Sequence, residues 1–232
     1  MVFLPGKKGS LQSDLITAAR RLYFLPYKLD GSVISIVREV AAGKPVIVLQ
    51  NLGFSWFPRW HYALVVGYNS LSKEFILRSG TTARQVLGQT VFENTWARAK
   101  NWAIVILKPQ ELPQTLDRIA YLQAVIGLEK AKKWSGASLA YQNALRIWPR
   151  DEVASVGLAN CQIAIGEFER AATVLKEALT ARPKSPALRK NYAHVLMKLG
   201  KNEEASIVLE SLKAGNSPHQ QHLMKTRRQI AK

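Results

Sequence analysis

From about residue 112 onward the chain repeats itself every 34 residues. Three segments, YLQAVIGLEKAKKWSGASLAYQNALRIWP, GLANCQIAIGEFERAATVLKEALTARP and YAHVLMKLGKNEEASIVLESLKAGNSP, carry one pattern. Ala137, Ala171 and Ala205 are each 34 apart. So are Trp134, Phe168 and Asn202, the glycines Gly166 and Gly200, and the prolines Pro149 and Pro183. A fixed period of this length leaves few folds open. Each repeat is one supersecondary unit that cannot bury its apolar face alone, so the units must stack. The spacing predicts a helix pair per repeat. The small residue lets the two helices approach, the aromatic before it fills the gap, and the proline ends the second helix.

This pattern resembles the tetratricopeptide repeat over about residues 116–217. The third repeat departs from it, with Asn202 in place of the aromatic and the proline one position late at Pro218. The first has Lys132 where the others have glycine. Three such repeats predict a concave face for a peptide or protein ligand and no chemistry of their own. Cys161, the one cysteine, falls in the first helix of the second repeat, where it reads as a small buried hydrophobe and not as a nucleophile.

Residues 1–110 follow other periods. SLQSDLITAARRLY predicts a helix capped by Ser10, and SVISIVREVAAG a second, with Ser32 as its cap and Gly43 as its stop. KPVIVLQNL, WHYALVVGY and KEFILRSG predict strands, the last two joined by the turn NSLS. TVFENTWARAK predicts a short helix and NWAIVIL a final strand. The fold class is therefore α+β, an antiparallel β meander with flanking helices, followed by an all-α repeat domain. The expected domains are 1–110, 111–217 and a basic tail over 218–232.

The blocks AAGKPVIVLQN, WHYALVVGYN and FILRSG resemble the C-terminal half of the bacteriocin-processing (double-glycine leader) cysteine peptidase family, which has a papain-like fold. The resemblance covers about residues 1–107. A peptidase-like domain of this kind followed by tetratricopeptide repeats is a recurring bacterial arrangement. The resemblance implies that His61 is the general base: an imidazole that titrates near neutrality can take a thiol proton and return it to a leaving amine. The family's nucleophile is a cysteine on an earlier helix, with an oxyanion-stabilising glutamine just before it. Residues 1–60 hold no cysteine, and Gln12 has none after it. The resemblance implies an acid or amide on the next strand to orient the histidine, but Arg78 and Ser79 stand there. An arginine cannot accept the histidine N–H, so Ser79 is the orienting candidate. A hairpin pairing Tyr68 with Lys73 would set His61 opposite Gly80, and a one-residue change would bring Ser79 and Thr81 to its side. Gln50 and Asn51, at a strand end, are candidate donors to a bound peptide. Trp56 and Trp60, with Phe57, are candidates for a substrate groove. Without the nucleophile helix, one side of the meander would lack cover and PVIVLQNL would expose apolar surface.

The formal charge of +17 is spread evenly, at +9 over residues 1–110 and +8 over the remainder. No Lys/Arg run is interleaved with aromatics, so a solvated basic surface fits better than a specific nucleic-acid site. Docking on an anionic surface stays as a third function. No apolar run reaches the roughly 20 residues that span a bilayer. No secretory signal stands at the start, although the family resemblance suggests an exported or membrane-associated protein. A lone cysteine makes no internal disulfide or zinc pair, and His219 and His222 alone make a poor metal site. No cofactor is expected. Two main functions follow: a truncated or degenerate cysteine peptidase, hydrolytic if an upstream thiol exists, or a non-catalytic peptide- or protein-binding scaffold.

Overall fold

A computed structural model describes residues 11–216. Ser10, Pro218, His219, His222 and the tail 218–232 lie outside the described residues. The chain divides into two compact units, Met1–Gly136 and Ala137–Lys232.

The first unit is built on an antiparallel sheet of β1 (Leu25–Lys28), β2 (Val46–Asn51), β3 (Trp60–Asn69), β4 (Glu74–Ser79), β5 (Thr82–Gly88) and β6 (Ala103–Leu107). Among the described residues the strand order is β1-β6-β2-β3-β4-β5. Strands β2, β3, β4 and β6 match the expected segments. β1 and β5 were not predicted. β1 is short and contains Pro26, which disfavours a ladder position. β5, TARQVLG, is almost wholly exposed and so lacks the apolar alternation that marks a strand. A two-residue turn joins β4 to β5, since Ser79 pairs with Thr82. Gly80 takes the turn's first position at φ +56°, a conformation that costs glycine nothing.

Helix α1 (Gln12–Arg21) begins behind Leu11, whose N–H donates to Asp14 (3.1 Å). Its Leu15 and Ile16 pack with Ile47, Leu49, Tyr62, Trp102 and Ile104 on one face of the sheet. Helix α2 (Val33–Ala41) starts as expected: the Ser32 hydroxyl accepts from the Ser35 N–H (3.2 Å). Gly43 follows its end at φ +74°. Helix α3 (Gln89–Ala97) covers the opposite face of the sheet through an aromatic column. Phe75 stacks on Phe92 with ring centroids 4.0 Å apart, Phe92 meets Trp96 at 5.6 Å, and the Trp96 indole donates to the Trp102 carbonyl (2.9 Å). β2 is central and five of its six residues are buried. The expected bare apolar strand is thus corrected: α1 on one face and α3 on the other cover it.

Helix α4 (Arg118–Lys130), the first of the expected repeat helices, packs beside β1 and belongs to the first unit. The buried Glu39 accepts from the N–H groups of Gln114 (2.6 Å) and Thr115 (3.1 Å). The Tyr27 hydroxyl donates to the Thr115 carbonyl (2.7 Å) and accepts from the Asp117 N–H (3.0 Å). These bonds tie the chain ahead of α4 to the sheet, and burial of the Tyr27 phenol pushes its pKa up.

Helix α5 (Trp134–Ile147) crosses the boundary between the units. The second unit continues with α6 (Glu152–Ala164), α7 (Phe168–Ala181), α8 (Pro186–Lys198) and α9 (Asn202–Asn216). The expected small residues Ala137, Ala171 and Ala205 are all buried. Gly157 of α6 sits against the Tyr141 ring, and any Cβ there would strike it. Gly166 and Gly200 follow α6 and α8 at φ +83° and +74°. Lys132, at the same place after α4, is held at φ +56°, a strained setting for a residue with a Cβ.

Candidate functional site

His61 lies on β3 opposite Gln50 of β2. Its Nε2 is 2.7 Å from Ser79 Oγ on β4. The hairpin register explains how the two meet. Beyond the turn Tyr68 pairs with Phe75, not Lys73, while nearer His61 Ala63 pairs with Ser79. The register changes by one between Val65 and Gly67, where β3 carries a bulge. Facing residues share a side of the sheet, and one step of register reverses that side. Continued without the bulge, the outer register would pair Ser79 with Leu64 and place it on the face away from His61. The bulge therefore brings the hydroxyl to the imidazole. Gly67 sits within that irregularity, packed against Ile76.

The bond leaves two tautomeric arrangements. A proton on Nε2 makes Ser79 the acceptor; a proton on the hydroxyl makes Nε2 the acceptor. In either, Ser79 fixes the ring plane, and Nδ1 makes no hydrogen bond to another described residue. His61 is half-buried, and its Nε2 edge is anchored by Ser79.

Gln50 and Asn51 are both buried, and their amides are engaged inside the fold. Gln50 Nε2 donates to Thr95 Oγ1 of α3 (2.8 Å). Asn51 Oδ1 accepts from the N–H groups of Gly53 (2.9 Å) and Arg59 (2.8 Å), and its Nδ2 donates to the Phe54 carbonyl (3.2 Å). Asn51 thus closes the 52–59 loop from within. Arg98 Nη1 adds a bond to the Gly53 carbonyl (2.8 Å). The pinned loop presents its aromatics outward: Trp56 is 82 % exposed, and Phe54, Phe57 and Trp60 are also exposed. Phe54 and Trp56 stack with centroids 5.2 Å apart. The structure thus brings His61 together with Ser79, gives Gln50 and Asn51 to internal bonds, and leaves Trp56 in the loop and Trp60 at the start of β3 on the surface. The sequence reading missed Thr95 and Arg98. The spacing TVFENTWAR, with Thr95 one turn after Val91 on α3, could have signalled the first; nothing local signals the second.

Cys161 is fully buried in α6 of the second unit. No group of three or more His, Cys, Asp or Glu residues suited to a metal ion occurs among the described residues. Nor is any described helix long and apolar enough to cross a membrane.

Comparisons with known proteins agree with the two-part reading. The model of the Peptidase C39 like family matches residues 14–104. The tetratricopeptide repeat model matches twice, over residues 128–177 and 166–225. No curated protein matches the chain. Among solved structures, the type III secretion translocator chaperone SycD of Yersinia enterocolitica is similar at 20 % identity, covering 47 % of this chain and 84 % of its own, with a TM-score of 0.41. The chain therefore carries a Peptidase C39-like domain followed by tetratricopeptide repeats.

Proposed function

We propose that these 232 residues act by binding a peptide or protein segment, with the repeats as the recruiting surface and the peptidase-like domain as a platform that keeps a base position without a thiol of its own. One observation carries this reading: the single cysteine of the sequence is fully buried in a repeat helix. A thiol fully buried in a repeat helix is out of reach of a substrate, so it cannot serve as the nucleophile. The exposed aromatics of the 52–59 loop supply apolar contact surface of the kind that peptides bury.

The His61–Ser79 pair favours a second reading, hydrolysis by Cys–His chemistry with a thiol supplied from outside these residues. There, Nδ1 would take the thiol proton while Ser79 holds Nε2, and the imidazolium would return the proton to the leaving amine.

Peptides selected by display against the full chain, incubated with and without an added small-molecule thiol, decide between the two. Fluorescence anisotropy should show saturable binding, mass spectrometry no cleavage, and His61→Ala an affinity within about twofold of the parent. Cleavage that disappears in His61→Ala would overturn the binding reading.

A further inference from the structure

A cleft on the far edge of the first unit has no part in the His61 site, which lies three strands away in the sheet. It opens between α1, β1, α2 and the start of α4, with a volume of about 910 Å³. That is room for a small organic ligand. Tyr27 and Leu29 are buried along it and give it an apolar floor.

Four cations line the cleft: Arg20 from α1, Lys28 from β1, Arg38 from α2 and Lys100 from the turn after α3. None of them makes an ion pair or a side-chain hydrogen bond with another described residue. The two acids of the lining are already engaged. Asp30 accepts from the Ser32 N–H (2.9 Å) and hydroxyl (2.8 Å), and Asp117 caps α4 through the Ala120 N–H (2.8 Å). The cleft thus carries more positive charge than its own carboxylates answer.

Arg20 makes the imbalance specific. Its guanidinium lies in a notch against Gly127 of α4, where any Cβ would collide with it. Its Nε is buried without an acceptor, and burial lowers its pKa. An apolar side chain would fill that notch at lower cost than a charge with no partner. An anion at the open side of the guanidinium would supply the partner that the half-buried Arg20 lacks among the described residues. Four cations from four elements suit several negative charges in a row better than a single carboxylate.

We propose that this cleft binds an oligophosphate ester, with its phosphates among Arg20, Lys28, Arg38 and Lys100 and its organic part on the Tyr27–Leu29 floor. The assignment rests on the first unit alone and stands or falls apart from the peptide-binding reading.

Isothermal titration of the full chain with ATP as the probe tests it, with tripolyphosphate as the probe lacking an organic part. ATP should bind saturably at one site. The triple variant Lys28→Gln, Arg38→Gln, Lys100→Gln changes exposed side chains only and should weaken binding by about tenfold or more. The charge-matched triple Lys73→Gln, Arg78→Gln, Arg84→Gln, on β4, β5 and the turn before β4, should change it by less than about twofold. Tripolyphosphate should bind at least about fivefold more weakly than ATP, because it leaves the floor uncovered. The absence of saturable ATP binding would overturn the proposal. So would equal losses in the two triples, which would show general attraction to a basic chain. Equal affinity for tripolyphosphate and ATP would overturn the site as one for an ester.

Discussion

The two units hold themselves together by different means. The sheet unit depends on partners far apart in sequence: Phe75 on Phe92, Gln50 on Thr95, His61 on Ser79. The repeat unit depends on small residues: Ala137, Ala171 and Ala205 are buried at a fixed interval of 34, and Gly157 lets α6 approach the Tyr141 ring. A sheet places chemistry by register, so one bulge changes which side chains meet. A helical array places shape by period, so its surface follows from one repeated unit. The difference assigns the candidate chemistry to the first unit and the candidate recruiting surface to the second.

The sharpest way to break the first half of that comparison is Phe92→Ala. It removes the middle ring of the column linking α3 to the sheet and should cost about 3–5 kcal/mol. Chemical denaturation followed by tryptophan fluorescence would report it. A loss under about 1 kcal/mol would show that α3 does not anchor the sheet. Gly157→Ala addresses the second half. The new methyl meets the Tyr141 ring, and overpacking should cost about 1–3 kcal/mol, read as an earlier loss of helical circular dichroism. An unchanged midpoint would mean that close helix approach is not what holds the array.

Lys132→Gly sharpens the comparison from the other side. Gly166 and Gly200 occupy the equivalent turns at positive φ, and Lys132 occupies its own at +56°. Glycine there should stabilise the protein by about 0.5–1 kcal/mol, the relief of left-handed strain less the added freedom of the unfolded chain. A lower midpoint would show that the lysine makes a compensating contact.

The smallest effect concerns pH. Burial pushes the Asp30 carboxyl up, but the hydrogen bonds from Ser32 outweigh it and hold the pKa below the ordinary carboxylate value. A depressed folded pKa means that the unfolded chain binds this proton more readily. The contribution of Asp30 is therefore present above about pH 4, the unfolded value, and is lost as pH falls through the folded one. Asp30→Asn should make stability slightly less steep in pH on the acid side. An identical acid limb in the two proteins would remove Asp30 from that account.

Much of this was legible in the residues. Ser32 and Gly43 marked both ends of α2 because caps and stops are local chemistry. Ala137, Ala171 and Ala205 marked the repeats because a period needs no tertiary information. β5 was hidden because its side chains face water, so TARQVLG shows no alternation. β1 was hidden because four residues with a proline do not signal a strand without β6 beside them. α4 read as a repeat helix by period, yet its packing with β1 follows from Glu39 and Tyr27, some 75 to 90 residues away from their partners.

The sequence by itself determined the two-part organisation, the helical period and the position of a lone imidazole on an apolar strand. Each of these is written in spacing or in residue type, which act over a few neighbouring positions. Only the tertiary structure decided what stands beside that imidazole. A register set by a turn at one end and a bulge in the middle chose Ser79, and the same packing gave the Gln50 and Asn51 amides to Thr95 and the loop. Side-chain identity limits what a group can do, but its partner is fixed by strand pairing, and pairing is a property of the whole sheet.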